Sequence, residues 1–303
     1  MTNMLDSQTE VIKEPVLLSP EDTDALLQQV NQQIASNTFD SNDQYLLKQM
    51  VESFGDSRGM VRLGFAEALG KVGKPATPFL ETALTNHPNP VVRRAAAKTI
   101  TLIADPRAIP TLVNALLKDE DTVVQCSTVG ALASIGEPAV PALLNILASS
   151  EYSESAKGLA IWALSFIGAE AKHLMYAEMS SESPEVRAAV VGVMAKVALE
   201  ESDAQAYDVL VKALNDQAMS VRCEAAATLS NLSYQPALPH LLELLSHSDW
   251  ESRKAAALAL MKMGDRNILE ALQTALDREI EIPVQQVLKL AISHVKKQSE
   301  EEN

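Results

Sequence analysis

A small or apolar residue followed by Arg, Lys or Gln returns along this chain at a nearly constant interval. Val61-Arg62, Val92-Arg93, Val124-Gln125, Ala156-Lys157, Val186-Arg187, Val221-Arg222, Ser252-Arg253 and Val284-Gln285 open successive segments, and their second residues lie 31, 32, 32, 30, 35, 31 and 32 positions apart. A fixed period in the range of 20–50 residues marks a chain built from stacked copies of one supersecondary unit. With the basic or Gln residue at position zero, apolar residues recur at −1, +3 or +4, +7 and +10, which is one stripe of an amphipathic helix. In the fourth copy these are Ala156, Ile161, Leu164 and Ile167.

Glycine follows at +11 in four copies (Gly73, Gly136, Gly168, Gly264), where a helix ends most readily in a left-handed residue. A turn with proline comes next, at Pro75, Pro106, Pro138 and Pro236, and then a second apolar helix over 111–118, 141–148, 207–214 and 239–245. Asn89, Asp121, Asp216 and Asp249 precede the next Arg-bearing helix, where a side-chain oxygen can take a free backbone N–H. The unit is a helix–turn–helix of about 31 residues repeated about eight times. One hairpin cannot bury its own apolar face, so the copies must stack. The fold class expected is all-α, an α-solenoid (superhelix) of about eight short helical hairpins.

The boundaries follow: 1–18 as a flexible N-terminus, 19–56 as capping helices with Ser19 and Pro20 at the first start signal, 57–295 as the solenoid, and 296–303 as a flexible acidic tail. Forty acidic against 25 basic residues leave a net charge of −15. That disfavours general nucleic-acid binding, which needs clustered Lys and Arg. It disfavours anionic membrane surfaces as well. No run approaches 18 apolar residues, so no membrane insertion is expected. Two distant cysteines, Cys126 and Cys223, form neither a zinc framework nor a disulfide scaffold, and the start of the chain lacks the pattern of a signal peptide. The expected location is the cytoplasm.

Two segments carry a family resemblance. The stretch Asp105-Pro106-Arg107-Ala108-Ile109-Pro110-Thr111-Leu112 and the helices beginning at Val92 and Val221 resemble the short HEAT-like repeat of the phycobilisome-lyase family, the E/F-type bilin lyases and their phycobilisome-degradation homologues. The resemblance spans about residues 43–297. It implies attachment, isomerisation or removal of an open-chain tetrapyrrole on a cysteine of a phycobiliprotein. It further implies phycocyanobilin or another bilin as substrate, with no permanently bound cofactor. The partners implied are phycobiliprotein subunits and a second HEAT-repeat lyase subunit. The alternative is a non-enzymatic protein–protein scaffold or adaptor unrelated to bilins.

No catalytic or metal constellation stands out. The five histidines are scattered and no His-Glu pair occurs, unlike HEAT-repeat metal hydroxylases. The row Arg62, Arg93, Lys157, Arg187, Arg222 and Arg253 at position zero has two readings. It can fasten neighbouring units through carboxylates such as Asp216 and Asp249, or it can offer a basic stripe to the carboxylates of a ligand. Positions +1, +5 and +9 should face away from the core. They are polar early on, with Arg94 and Lys98 on the second Arg-bearing helix. They then become Cys126, Gly130 and Ser134; Gly158, Trp162 and Phe166; and Ala188, Gly192 and Lys196. Two aromatics four residues apart, flanked by small residues, suit an apolar slot. The residues expected to line a concave groove for ligand or partner are therefore Arg93, Arg94, Lys98, Cys126, Lys157, Trp162, Phe166, Arg187, Arg222 and Arg253. The competing reading places Trp162 and Phe166 in the core.

Overall fold

The structure, a computed structural model, describes residues 17–201 and 203–301. The expected flexible segment 1–18 lies outside the described residues except for its last two. Among the described residues every regular element is helical and there is no β-strand. The chain packs as two compact units, one through Ala142 and the other from Leu143. The division falls inside a helix and has no counterpart in the repeat spacing.

The first unit begins with α1 (Pro20–Ala35) and α2 (Gln44–Glu52), followed by α3 (Gly59–Val72), α4 (Thr77–Asn86), α5 (Pro90–Ile103), α6 (Ile109–Lys118) and α7 (Thr122–Ile135). The dividing helix is α8 (Val140–Ala148). Ser19 caps α1 by accepting from the Asp22 N–H, with Pro20 at the first helical position. The position-zero helices α3, α5 and α7 lie side by side, and the intervening helices α4 and α6 cover them. On α5 the residues at −1, +3, +4 and +7 (Val92, Ala96, Ala97, Ile100) are completely buried, as the stripe requires. Burying one large aliphatic side chain contributes about 1.5–3 kcal/mol. Small residues at +3 and +4 let adjacent helices approach closely.

The second unit holds α9 (Glu154–Ile167), α10 (Lys172–Glu178), α11 (Pro184–Glu201), α12 (Ala204–Ala213), α13 (Met219–Asn231), α14 (Leu238–Leu244), α15 (Trp250–Met263), α16 (Leu269–Arg278) and α17 (Ile282–Glu301). Its row of position-zero helices, α11, α13, α15 and α17, packs in sequence, and α9 begins the row against α11. Ile161 corrects the expected stripe. It is 37% exposed, and Ala160 at +3 takes the buried place. The expected acidic tail is corrected as well. Through Glu301 it continues α17, in keeping with the helix-forming Lys, Gln and Glu of 296–301.

The turns follow one design. Gly73, Gly136, Gly168 and Gly264 all have positive φ, and short 310 turns carry the prolines. Ala104 (φ 51°) and Ser233 (φ 50°) hold the same +11 position in the two copies that lack the glycine. Asn89, Asp121 and Asp249 cap their helices. Asp216 does not. Ala218 stands at the start of α13, and Asp216 accepts from the Ala218 N–H while facing Arg187.

Candidate functional site

Position zero has a common geometry in every copy but the fourth, where Lys157 stands. Its side chain donates to the backbone carbonyl six residues earlier: Arg62 to Asp56 O, Arg93 to His87 O, Gln125 to Asp119 O, Arg187 to Ser181 O, Arg222 to Asp216 O, Arg253 to His247 O and Gln285 to Glu279 O, all within 2.6–3.0 Å. The bond folds the incoming loop onto the helix start. Glutamine serves as well as arginine because the carbonyl needs a donor, not a charge.

The arginines reach one step further. Arg93 grips Asp119 with both arms (2.8 and 2.9 Å), Arg187 grips Asp216 (2.8 and 2.7 Å), and Arg253 grips Glu279 (2.7 and 2.8 Å). Arg222 is buried. It donates to the Ser252 hydroxyl at 2.8 Å, which in turn donates to Asp249 at 2.6 Å. These guanidinium groups hold Asp216 and Glu279 below the usual carboxylate range. Arg94 is paired with Asp121, the cap of α7. Lys157 lies 3.7 Å from Glu154. Of the two readings of the position-zero row, these contacts are the ones that the fastening reading expects of Arg93, Arg187, Arg222 and Arg253, and Arg94 at +1 likewise meets an acceptor inside the protein. Lys98 and Cys126 are exposed on α5 and α7 of the first unit.

The aromatic pair is on the surface. Trp162 is 46% and Phe166 55% exposed, with ring centroids 5.6 Å apart and planes tilted by 44°. The core reading of these two residues does not hold. Gly158, one turn earlier, faces open space. Lys196 of α11 donates to the carbonyls of Ser165 and Phe166 (3.0 and 3.3 Å) and lays its stem over Gly168. A cation at a helix C-terminus is favourable, and here it fixes the end of α9 that carries Phe166.

The same outer offsets continue beyond the residues singled out from the sequence. They give Cys223, Ala227 and Asn231 on α13 and Lys254, Leu258 and Lys262 on α15. A cavity of about 560 Å³ lies between these helices, and a smaller one of about 290 Å³ shares Cys223, Ala255 and Leu258 with it and reaches Trp250 and Lys254. Burial pushes the Cys223 thiol up, so it is a neutral part of the wall at ordinary pH. Counting +1, +5 and +9 through the sixth and seventh copies finds these residues without any further signal. On the opposite row, a cavity of about 750 Å³ takes the Arg253–Glu279 pair into its wall. Among the described residues no cluster of His, Cys, Asp and Glu has the arrangement of a metal site, and no helix is long and apolar enough to cross a membrane.

Comparison with known proteins agrees with this architecture. A model of HEAT repeats matches residues 77–165, 171–260 and 207–293. The bilin biosynthesis protein MpeU of Synechococcus sp. (strain WH8020) is 37% identical over 294 residues, 97% of this chain and 99% of MpeU. The chain belongs to the HEAT-repeat family of MpeU. The bilin biosynthesis protein PecE of Nostoc sp. (strain PCC 7120) is 29% identical over 158 residues, 50% of this chain and 58% of PecE. The solved complex of CpcE and CpcF of phycocyanin lyase from Nostoc sp. PCC7120 contains a chain 26% identical to this one. The match covers 50% of this chain and 97% of that one, at a TM-score of 0.43. The repeat motif resembled this same family.

Proposed function

We propose that this protein acts in bilin attachment or isomerisation on phycobiliproteins in the cytoplasm, holding the open-chain tetrapyrrole while the acceptor cysteine reacts. The observation that carries this reading is the similarity to MpeU along nearly the whole of both chains. The exposed Trp162–Phe166 pair supplies a surface for a flat conjugated pigment, since stacked or tilted aromatic contacts add about 0.5–1.5 kcal/mol beyond the area they bury. Holding pigment and acceptor together would supply the orientation that such a transfer needs.

The test mixes purified protein with phycocyanobilin and follows the visible absorption band. It is then repeated with an apo-phycobiliprotein and with a second HEAT-repeat subunit added. A shifted band, weakened in Trp162→Ala/Phe166→Ala while the melting temperature stays within about 2 °C, is the expected result, because half-exposed side chains contribute little to stability. No shift under any of the three conditions removes the reading. Capture of one protein partner lost in the same double variant, with no pigment response, would favour a scaffold instead.

A further inference from the structure

Glu224 is an acid that the repeat pattern does not account for. It stands at +2 on α13, where the other seven copies have only uncharged residues, from Gly64 to Val287. Its side chain leans back over α11. A Cβ built on Gly192 would stand 3.1 Å from Glu224 Oε1, so the bare backbone at Gly192 is what leaves the carboxyl its place. Gly192 holds the +5 offset on α11, the offset that Trp162 holds on α9, and α11 packs against both α9 and α13. The carboxyl therefore lies on the outer face of the row, one helix away from the aromatic pair. The Thr228 hydroxyl, one turn along α13, is its hydrogen-bond donor. Glu224 is open to solvent on one side, yet the water lost to its surroundings pushes the carboxyl up. Asp216 and Glu279 move the other way, because arginines grip them. A carboxyl in a confined place with no cation of its own suits a ligand that supplies the positive charge. A linear tetrapyrrole has that chemistry: three ring nitrogens carry a proton and the fourth is basic. A carboxyl at the edge of the rings can give up its proton and then accept N–H bonds from the cation it has made.

We propose that Glu224 meets the ring nitrogens of a pigment held at Trp162 and Phe166 and keeps that pigment protonated. The proposal rests on the pigment reading above and adds to it a contact and a charge state. The step is one proton transfer. The O–H bond of the Glu224 carboxyl breaks, an N–H bond forms on the basic ring nitrogen, and the carboxylate remains as the counter-ion.

The experiment is a pH titration of the visible band of phycocyanobilin, free and bound to the full chain. Wild type is compared with Glu224→Gln, Glu224→Asp and Glu243→Gln, the last an exposed acid on α14 of the opposite row. Thermal melts confirm that each is folded. An opposite charge a few ångströms away shifts a titration by about 1–3 units. Pigment bound to wild type should therefore keep its protonated band to a pH about one unit or more above that of free pigment. Glu224→Gln should lose this gain, Glu224→Asp should keep part of it, and Glu243→Gln should keep all of it. If a folded Glu224→Gln no longer binds pigment, the contact is supported, and Glu224→Asp must then titrate between wild type and free pigment. The proposal falls if pigment on Glu224→Gln titrates as on wild type. It falls too if Glu243→Gln moves the midpoint as far, because general charge would then be the cause. Both results leave the pigment reading standing. No band shift with wild type removes that reading and the proposal together.

Discussion

Replacing Arg187 separates a fastening role from a ligand-binding one. Its guanidinium makes two bonds to Asp216, at 2.8 and 2.7 Å, and two to the loop carbonyls of Ser181 and Glu182, at 2.7 and 3.2 Å. Both side chains of the pair are 14% exposed, so the pair is neither solvent-screened nor fully buried. Removing one partner of a fully buried pair costs about 3–5 kcal/mol, and exposed pairs contribute about 1 kcal/mol or less. Arg187→Ala should therefore cost roughly 3 kcal/mol, most of it from leaving Asp216 and the Ser181 carbonyl short of donors. For a unit of this size that lowers Tm by roughly 6–12 °C. Arg187→Gln keeps a donor for the carbonyl, as Gln125 and Gln285 do, and should cost roughly half as much. In the double variant Arg187→Ala/Asp216→Ala the losses should fall short of additivity by more than about 1 kcal/mol. Thermal and urea unfolding followed by circular dichroism provide the measurements. An alanine variant that melts within 2 °C of wild type yet no longer binds pigment would refute the fastening argument and restore arginine as a ligand contact.

Three further outcomes are expected. Ala104→Gly and Ser233→Gly should each stabilise by about 0.5–1 kcal/mol, because both residues have φ near +50° and glycine relieves that strain; a urea midpoint that falls would contradict this. Gly168→Ala should destabilise by at least about 1–2 kcal/mol, since φ is +53° and a new Cβ would sit 3.0 Å from the Lys196 stem; an unchanged melt would count against it. Asp105 is buried against Arg107 and Thr77, and the Arg107 guanidinium holds its carboxyl down to about 2. A lowered folded-state pKa stabilises above the unfolded value near 3.9, and the contribution is lost as pH falls from about 4 towards 2. Because Arg107 is mostly exposed, this contribution is about 1–2 kcal/mol. Asp105→Asn should remove it at pH 7 and flatten the stability–pH curve below pH 4. A wild-type slope in Asp105→Asn would show that other carboxylates carry the acid dependence.

Much of the architecture was legible because it is local and periodic. The interval between position-zero residues places the first helix of every repeat. The +11 glycines mark where those helices end, while the outer offsets of α9 left Trp162 and Phe166 open between groove and core until the structure exposed both. The same arithmetic reaches Cys223, Lys254 and Lys262. It misses Ile161, because the apolar stripe admits either +3 or +4 and on α9 the small Ala160 at +3 takes the buried place. It also misreads Asp216 as a cap, because α13 starts two residues later than the spacing of the other copies suggests, with Ala218 at the N-cap and Asp216 left in the loop.

By itself the sequence determined the unit, its repetition, the face each residue takes on its own helix and, through the family motif, the kind of protein this is. These follow from helical periodicity and from glycine's freedom at positive φ, which act over a turn or two of chain. Tertiary structure alone decided where the arginines point, since each guanidinium chooses among acceptors 26–30 residues away that only stacking brings within 3 Å. It alone decided that Ala104 and Ser233 accept a left-handed turn, because packing of the flanking helices outweighs a local cost of about 1–2 kcal/mol. And it alone opened the trough between α13 and α15, because a cavity is a property of two surfaces and neither helix holds it alone.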